Sequence, residues 1–295
     1  MASEQSAAVR AMYERWTVDR LNGRPTDPES WGDLTAEPRG VDYVETDEPG
    51  VPSMWLLPHG AAADRVLLCL HGGGFVAGSI YTHRKLYGHL AKAVGARALL
   101  VGYPLAPRHV HPAQVDATTG AYRWLLGSFA AGHIAFAGDS AGGGLVITTQ
   151  LHARAAGLPL PAAAMAISPW VDLEVSGESF RTNARTDGYF YRDVVDGLVE
   201  VFLGPGGSRR DPLANPLHAD LTGLAPLFVQ VGSHETLLVE GRELADRAEA
   251  AGVEVRLDVF AEQVHTFQMA AGRAPEADDA IARFASWARP KLGLA

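Results

Sequence analysis

Ile134-Ala135-Phe136-Ala137-Gly138-Asp139-Ser140-Ala141-Gly142 joins a short apolar run to a G-x-S-x-G turn. Four apolar residues ending at a turn suit a strand buried on both faces, as in a parallel sheet. A serine with glycine two residues to either side then fits a turn too tight for larger side chains, which pushes its hydroxyl clear of the sheet. With 32 glycines in 295 residues the bare pattern can arise by accident, so its meaning depends on its surroundings.

Similar apolar runs recur at residues 66–70, 98–101, 164–167, 227–231 and 255–260. Between them lie helical patterns at 87–94, 114–126, 143–156 and 240–251. Strand and helix alternate, which predicts an α/β fold with a mostly parallel sheet and helices on both faces. Alternating segments at 41–45 and 51–57, split by Pro49-Gly50, read as an antiparallel hairpin and bring the expected sheet to eight strands. An amphipathic helix at 7–18 and a Pro/Gly-punctuated loop at 22–38 precede it. The interval between Ile167 and Leu227 is far longer than a crossover needs and holds a helix-like stretch at 192–203. Such an insertion usually carries a lid or a binding region. No repeat or composition shift marks a second independent domain.

Composition narrows the function. The chain is 47% hydrophobic and 20% charged, with a net charge of -9, so no basic patch points to nucleic acid or an anionic membrane. No apolar stretch approaches the roughly 18 residues of a membrane span. The start lacks the apolar core of a signal peptide, and the lone cysteine, Cys69, forms no internal disulfide, so the cytoplasm is the expected location. A homodimer is compatible with the sequence.

Acyl transfer by a serine needs a base, an acid that orients the base, and donors for the oxyanion, all at the C-terminal ends of strands. Directly after the run at 66–70 stands His71-Gly72-Gly73-Gly74-Phe75, a glycine loop of the kind that turns backbone N–H groups toward a substrate. The N–H of Ala141, next to the serine, completes such a hole. Four histidines follow Ser140; His152 falls within the helix after the turn, whereas His265 follows the last strand, as the hydrolase order requires. Glu235 is the first carboxylate beyond the preceding strand, while Glu240 already belongs to the next helix. Its neighbour His234 is expected to point elsewhere, and Asp139, inside the turn, to buttress nearby loops. His109 and His111 have no metal-ligand pattern around them, and no metal or cofactor is implied.

Together these motifs resemble the bacterial hormone-sensitive-lipase family (family IV esterases) of α/β-hydrolases, from about Val66 to the C-terminus. The resemblance implies oxyanion donors at Gly73 and Gly74. It also implies a helical cap built from residues 1–38 and 175–214, over a core of residues 39–174 and 215–295. Within the family, Tyr81-Thr82-His83-Arg84 and Asp211-Pro212-Leu213-Ala214-Asn215-Pro216 resemble monoterpene ε-lactone hydrolases. The chain departs from the family pattern in two places. Glu235 stands where Asp is common, and Tyr103-Pro104-Leu105-Ala106-Pro107-Arg108 lacks the usual Arg and Glu of the Y-R-L-A-P-E segment. Phe75, Trp170, Phe190 and Tyr191 are the expected pocket lining, a hydrophobic site of modest size for short to medium acyl esters or lactones. Two other functions fit the same motifs: an amidase on the same triad, and a binding module that keeps the fold without the chemistry.

Overall fold

The computed structural model describes residues 2–295. Eight strands form one sheet: β1 (Val41–Thr46), β2 (Ser53–Pro58), β3 (Ala62–Leu70), β4 (Ala96–Val101), β5 (Ile134–Asp139), β6 (Ala163–Ile167), β7 (Leu227–Gly232) and β8 (Val255–Phe260). Their order is β1-β2-β4-β3-β5-β6-β7-β8. β2 runs antiparallel to both β1 and β4, and the other pairs are parallel. Every residue of β5, β6 and β7 is buried, which is why these strands read as continuous apolar runs rather than alternating ones. The register aligns the strand ends. Leu70 pairs with Gly138, Asp139 with Ile167, and Gly232 with Phe260. Residues that leave β3, β5, β6, β7 and β8 therefore emerge along one edge of the sheet.

Among the described residues ten helices surround it: α1 (Ala7–Leu21), α2 (Trp31–Leu34), α3 (Ile80–Val94), α4 (Ala113–Leu126), α5 (Ala141–Ala155), α6 (Ser179–Thr182), α7 (Ala184–Asp187), α8 (Arg192–Leu203), α9 (Leu238–Ala250) and α10 (Pro275–Lys291). α3 packs against α10 on one face, and α4 packs against α5 on the other. α1 buries Val9, Met12, Tyr13 and Trp16, a spacing that fits one face of a helix. It joins α6–α8 in a layer above the strand ends, where the Tyr13 ring meets Phe190 edge-on at 5.3 Å.

Three of the differences from the sequence expectation shape the packing around the sheet. α3 begins at Ile80 rather than residue 87, because the Ser79 side chain accepts from the N–H groups of Tyr81 and Thr82 in a capping box. The loop at 22–38 contains a 3-10 turn (Pro28–Ser30) and α2, held by Trp31 packing edge-on to Trp16 at 4.9 Å. The C-terminal helix α10 was not expected; its Trp287 packs edge-on to Phe228 of β7 at 5.4 Å.

Candidate active site

Ser140 links β5 to α5 with φ 53° and ψ -120°, a conformation that costs an L-residue about 1–3 kcal/mol. Its surroundings hold it there. The Ser140 N–H donates to Ile167 O at 2.8 Å, and Ser140 O accepts from the N–H of Gly144 at 3.1 Å and of Trp170 at 3.0 Å. The flanking glycines are required by contact: a Cβ on Gly138 would run into Gly142 O, and one on Gly142 into Leu70 O. The helix start thus presses against β3, leaving the serine side chain at the sheet edge.

There His265 Nε2 lies 2.9 Å from Ser140 Oγ. His265 Nδ1 faces Glu235 Oε2 at 3.5 Å, a close approach of opposite charges when both groups ionise but longer than a hydrogen bond. Ser140, His265 and Glu235 are 6%, 1% and 0% exposed, so bulk water screens little of this interaction. Burial pushes the Glu235 carboxyl above its usual range, and the nearby His265 and the Ser168 hydroxyl partly oppose that rise.

Among the described residues, the N–H groups of Gly73, Gly74 and Ala141 engage no protein acceptor. Gly73 sits at φ 119°, a conformation suited to glycine, and its carbonyl accepts from the N–H of Val76 and of Ala77 at 3.1 and 3.0 Å. Asp139 braces the loop from below. Its Oδ1 accepts from the Gly72 N–H at 3.0 Å and the Tyr87 hydroxyl at 2.7 Å, and its Oδ2 lies 3.3 Å from His83 Nε2. Burial alone would raise the Asp139 carboxyl, but the His83 charge and these donors hold it below the usual range. Asp139 is therefore a buttress, as the sequence suggests.

The expected lining residues divide. Phe75 stacks on Phe202 of α8 at 3.8 Å and lies 5.5 Å from the Trp170 ring. The Phe190 ring meets the His265 imidazole at 4.3 Å. Tyr191 is half-buried at the N-cap of α8, its N–H donating to Tyr189 O at 2.8 Å. Of the segments likened to lactone hydrolases, Arg84 pairs with Glu37 at 2.8 Å and Asp211 with His111 at 3.1 Å, contacts that brace loops. Among the described residues no three His, Cys, Asp or Glu side chains group as a metal set, and no helix is long and apolar enough to cross a membrane.

Several residues at the site carry no sequence signal. The Ser168 hydroxyl donates to Glu235 Oε2 at 2.7 Å and accepts from the Thr266 N–H at 3.1 Å. Asp187, at the end of α7, accepts from the Phe190 N–H and the Thr236 N–H at 2.8 Å each, tying the helical layer to the loop that carries Glu235. Asn183 Nδ2 donates to the carbonyls of Ser233 and Glu235 at 3.0 and 2.8 Å. Leu198 of α8 stands so close to Gly74 that a Cβ there would lie 2.9 Å from its Cδ1.

Comparison with known proteins agrees with this architecture. A family model described as an alpha/beta hydrolase fold matches residues 67–269. An acetyl-hydrolase of Streptomyces hygroscopicus is 37% identical over an alignment of 310 residues that covers 99% of each chain. A crystal structure of an esterase from the bacterial hormone-sensitive lipase family is 40% identical, with a TM-score of 0.93 over 99% of this chain and 100% of that one. EstE5, crystallised and soaked with p-nitrophenyl butyrate, is 33% identical with a TM-score of 0.91 over 99% of this chain and 100% of its own. The chain belongs to the alpha/beta hydrolase fold and, within it, to the bacterial hormone-sensitive lipase family, and it is a serine hydrolase of carboxylic esters.

Proposed function

We propose that Ser140 is the nucleophile, His265 the general base and acid, Glu235 the orienting carboxylate, and Gly73, Gly74 and Ala141 the oxyanion donors. The observation that carries this reading is the 2.9 Å contact between His265 Nε2 and Ser140 Oγ, made at a strained turn. Ser140 Oγ attacks the ester carbonyl carbon as its proton passes to His265 Nε2. The charge on the carbonyl oxygen is met by the three N–H groups; one such donor is typically worth about 2.7–4 kcal/mol in the transition state. The tetrahedral adduct collapses, and the alkoxide leaves with the proton from His265. Water then repeats the sequence on the acyl-enzyme, releasing the acid and restoring Ser140. Throughout, ionised Glu235 favours the His265 tautomer with its proton on Nδ1 and stabilises the imidazolium.

Residues 1–38 and 175–214 act as a cap over the core of residues 39–174 and 215–295, a division supported by the contacts of α1 and α6–α8 with the site loops. Short acyl esters are the preferred substrates. The closeness of Leu198 to Gly74 and the Phe75–Phe202 stack favour small acyl groups, and so do the acetyl-hydrolase relative and the p-nitrophenyl butyrate soak of EstE5. Lactones of similar size are the second substrate class, on the sequence likeness at 81–84 and 211–216. The edge strand β8, with Val259 exposed, supports a homodimer, and the lone buried Cys69 is compatible with a cytoplasmic setting. Ser140→Ala assayed on p-nitrophenyl acetate and butyrate, beside ε-caprolactone, tests the assignment. The expected loss in kcat is at least about 10³-fold; a variant that turns over esters at the parent rate would remove Ser140 from the chemistry.

A further inference from the structure

Glu235 and the loop carrying His265 are held by bonds that lead away from the reacting atoms. Among the described residues, Ser168 is the one hydrogen-bond donor to the Glu235 carboxylate. A carboxylate only accepts, so the single Ser168 proton points at Glu235, leaving a hydroxyl lone pair for the Thr266 N–H at 3.1 Å. Thr266, next to His265, sits at φ 48°, a left-handed conformation that is uncommon for a threonine. Its hydroxyl meets the Tyr13 hydroxyl of α1 at 2.7 Å, in the protein interior. The Tyr13 ring also packs edge-on to Phe190 at 5.3 Å, and Phe190 covers the His265 ring at 4.3 Å. The N-terminal helix thus reaches both sides of the His265 loop.

We propose that Ser168 and Tyr13 are positioning residues, in a Tyr13–Thr266–Ser168–Glu235 hydrogen-bonded relay through which the seating of helix α1 fixes the triad acid and histidine relative to each other. The proposal rests on the reading of Glu235 and His265 as triad members. Ser168 locks both partners because one oxygen serves the acid and the backbone of the histidine loop at once. Without it, the Glu235 carboxylate has no hydrogen-bond donor among the described residues, and the 3.5 Å gap to His265 Nδ1 is free to widen. Tyr13 anchors the far end: its hydroxyl restrains Thr266 only while α1 lies in place. Among the described residues no hydrogen bond joins Tyr13, Thr266 or Ser168 to Ser140 Oγ or to the N–H groups of Gly73, Gly74 and Ala141, so the effect of the relay belongs on turnover and not on ester binding.

The test compares kcat and KM on p-nitrophenyl butyrate for full-length Ser168→Ala, Tyr13→Phe, Glu235→Gln and the two double variants with Glu235→Gln, each verified as folded by circular dichroism. Ser168→Ala is expected to lower kcat by up to about 100-fold, as small misplacements of catalytic groups do, with KM little changed. Tyr13→Phe removes one buried hydroxyl and is expected to lower kcat roughly 3–10-fold. On the Glu235→Gln background both losses should largely vanish, since the relay acts through the acid. Losses repeated in full on that background, or wild-type turnover in Ser168→Ala and Tyr13→Phe, would overturn the relay. If Ser168→Ala does not fold, the Tyr13→Phe cycle decides alone, because that change keeps the ring and its packing. An active Glu235→Gln would instead indict the triad reading itself, a separate outcome.

Discussion

His265 approaches Ser140 and Glu235 unequally: its Nε2 stands 2.9 Å from Ser140 Oγ, while its Nδ1 stops 3.5 Å from Glu235 Oε2. On the proposed roles, the nucleophile side is already hydrogen-bonded, and the acid side is expected to draw in as the imidazole gains charge. Catalytic hydrogen bonds are often long in the free enzyme and tighten in the complex. Glu235 is fully buried, so an ionised carboxylate there is worth most when the imidazolium forms beside it.

Two buried glutamates five positions apart should respond oppositely to amide substitution. Glu235→Gln removes the charge that steadies the imidazolium and should lower kcat by about 10³–10⁴-fold with the fold kept. Glu240 faces a different environment. Burial, reinforced by Asp172 and Glu235, holds its carboxyl well above the usual range, although it accepts from the Val171 N–H at 2.8 Å. Glutamine offers the same acceptor without the charge, so Glu240→Gln should keep activity within about twofold. The sign for stability follows from the raised value. The protonated form is favoured in the folded state, so stability is full below the unfolded value of 4.5 and is lost as pH rises through the higher folded value. The Tm advantage of Glu240→Gln over the parent should therefore widen from pH 5 to pH 9. A constant or shrinking gap would show that Glu240 is charged in the fold.

Leu198 and Phe202 should set acyl length. Both reach from α8 to the glycine loop after β3, Leu198 against Gly74 and Phe202 stacked on Phe75 at 3.8 Å. Trimming either to alanine removes a wall near the predicted oxyanion donors. The ratio of kcat/KM for p-nitrophenyl octanoate over acetate is expected to rise by roughly 10-fold, the scale of one to three kcal/mol per added methylene contact. Unchanged ratios in both variants would place the acyl chain elsewhere. Leu198→Ala is the gentler probe, since Leu198 is half-buried whereas Phe202 is part of the packed interior.

The legible candidates are those marked by a local pattern. Ser140, Gly73, Gly74, Glu235 and His265 each follow a strand end, and β5, β6 and β7 announce themselves because burial on both faces makes them uniformly apolar. β8 was also readable, although most of its residues are only half-buried. α10 escaped because its buried face is mostly alanine, Ala277, Ala280, Ala285 and Ala288 around Ile281 and Phe284, which blurs the contrast with its polar face. Ser168 and Tyr13 escaped for another reason. Their partners lie 67 and 253 positions away in Glu235 and Thr266, and no spacing rule connects residues that only the tertiary fold brings together. Leu198 has the same history: as one apolar residue on an amphipathic helix, it shows its place over Gly74 only in three dimensions.

The glycine loop after β3 should make the protein sensitive to mild acid through His71. This ring is 1% exposed, stacks on Tyr103 at 4.2 Å, and donates from Nδ1 to Gly72 O at 2.7 Å. Burial, with the His83 charge beside it, lowers its pKa from 6.5 to about 4, against the smaller opposing effects of Gly72 O and Asp139. A base with a depressed folded value binds its proton first in the unfolded chain. Stability is therefore full above pH 6.5 and falls as pH drops toward about 4. For one proton the slope in that window approaches about 1.4 kcal/mol per pH unit. Asp139, held low, extends the loss to still lower pH, while the raised Glu235 and Glu240 carboxyls pull the other way. A difference between two variants isolates the histidine from these. His71→Asn keeps a donor near the Nδ1 position but cannot titrate. Urea unfolding at pH 7, 5.5 and 4.5 should show the parent losing stability relative to His71→Asn as pH falls. Parallel curves for the two proteins would mean that His71 takes up its proton in the fold as readily as in the unfolded chain.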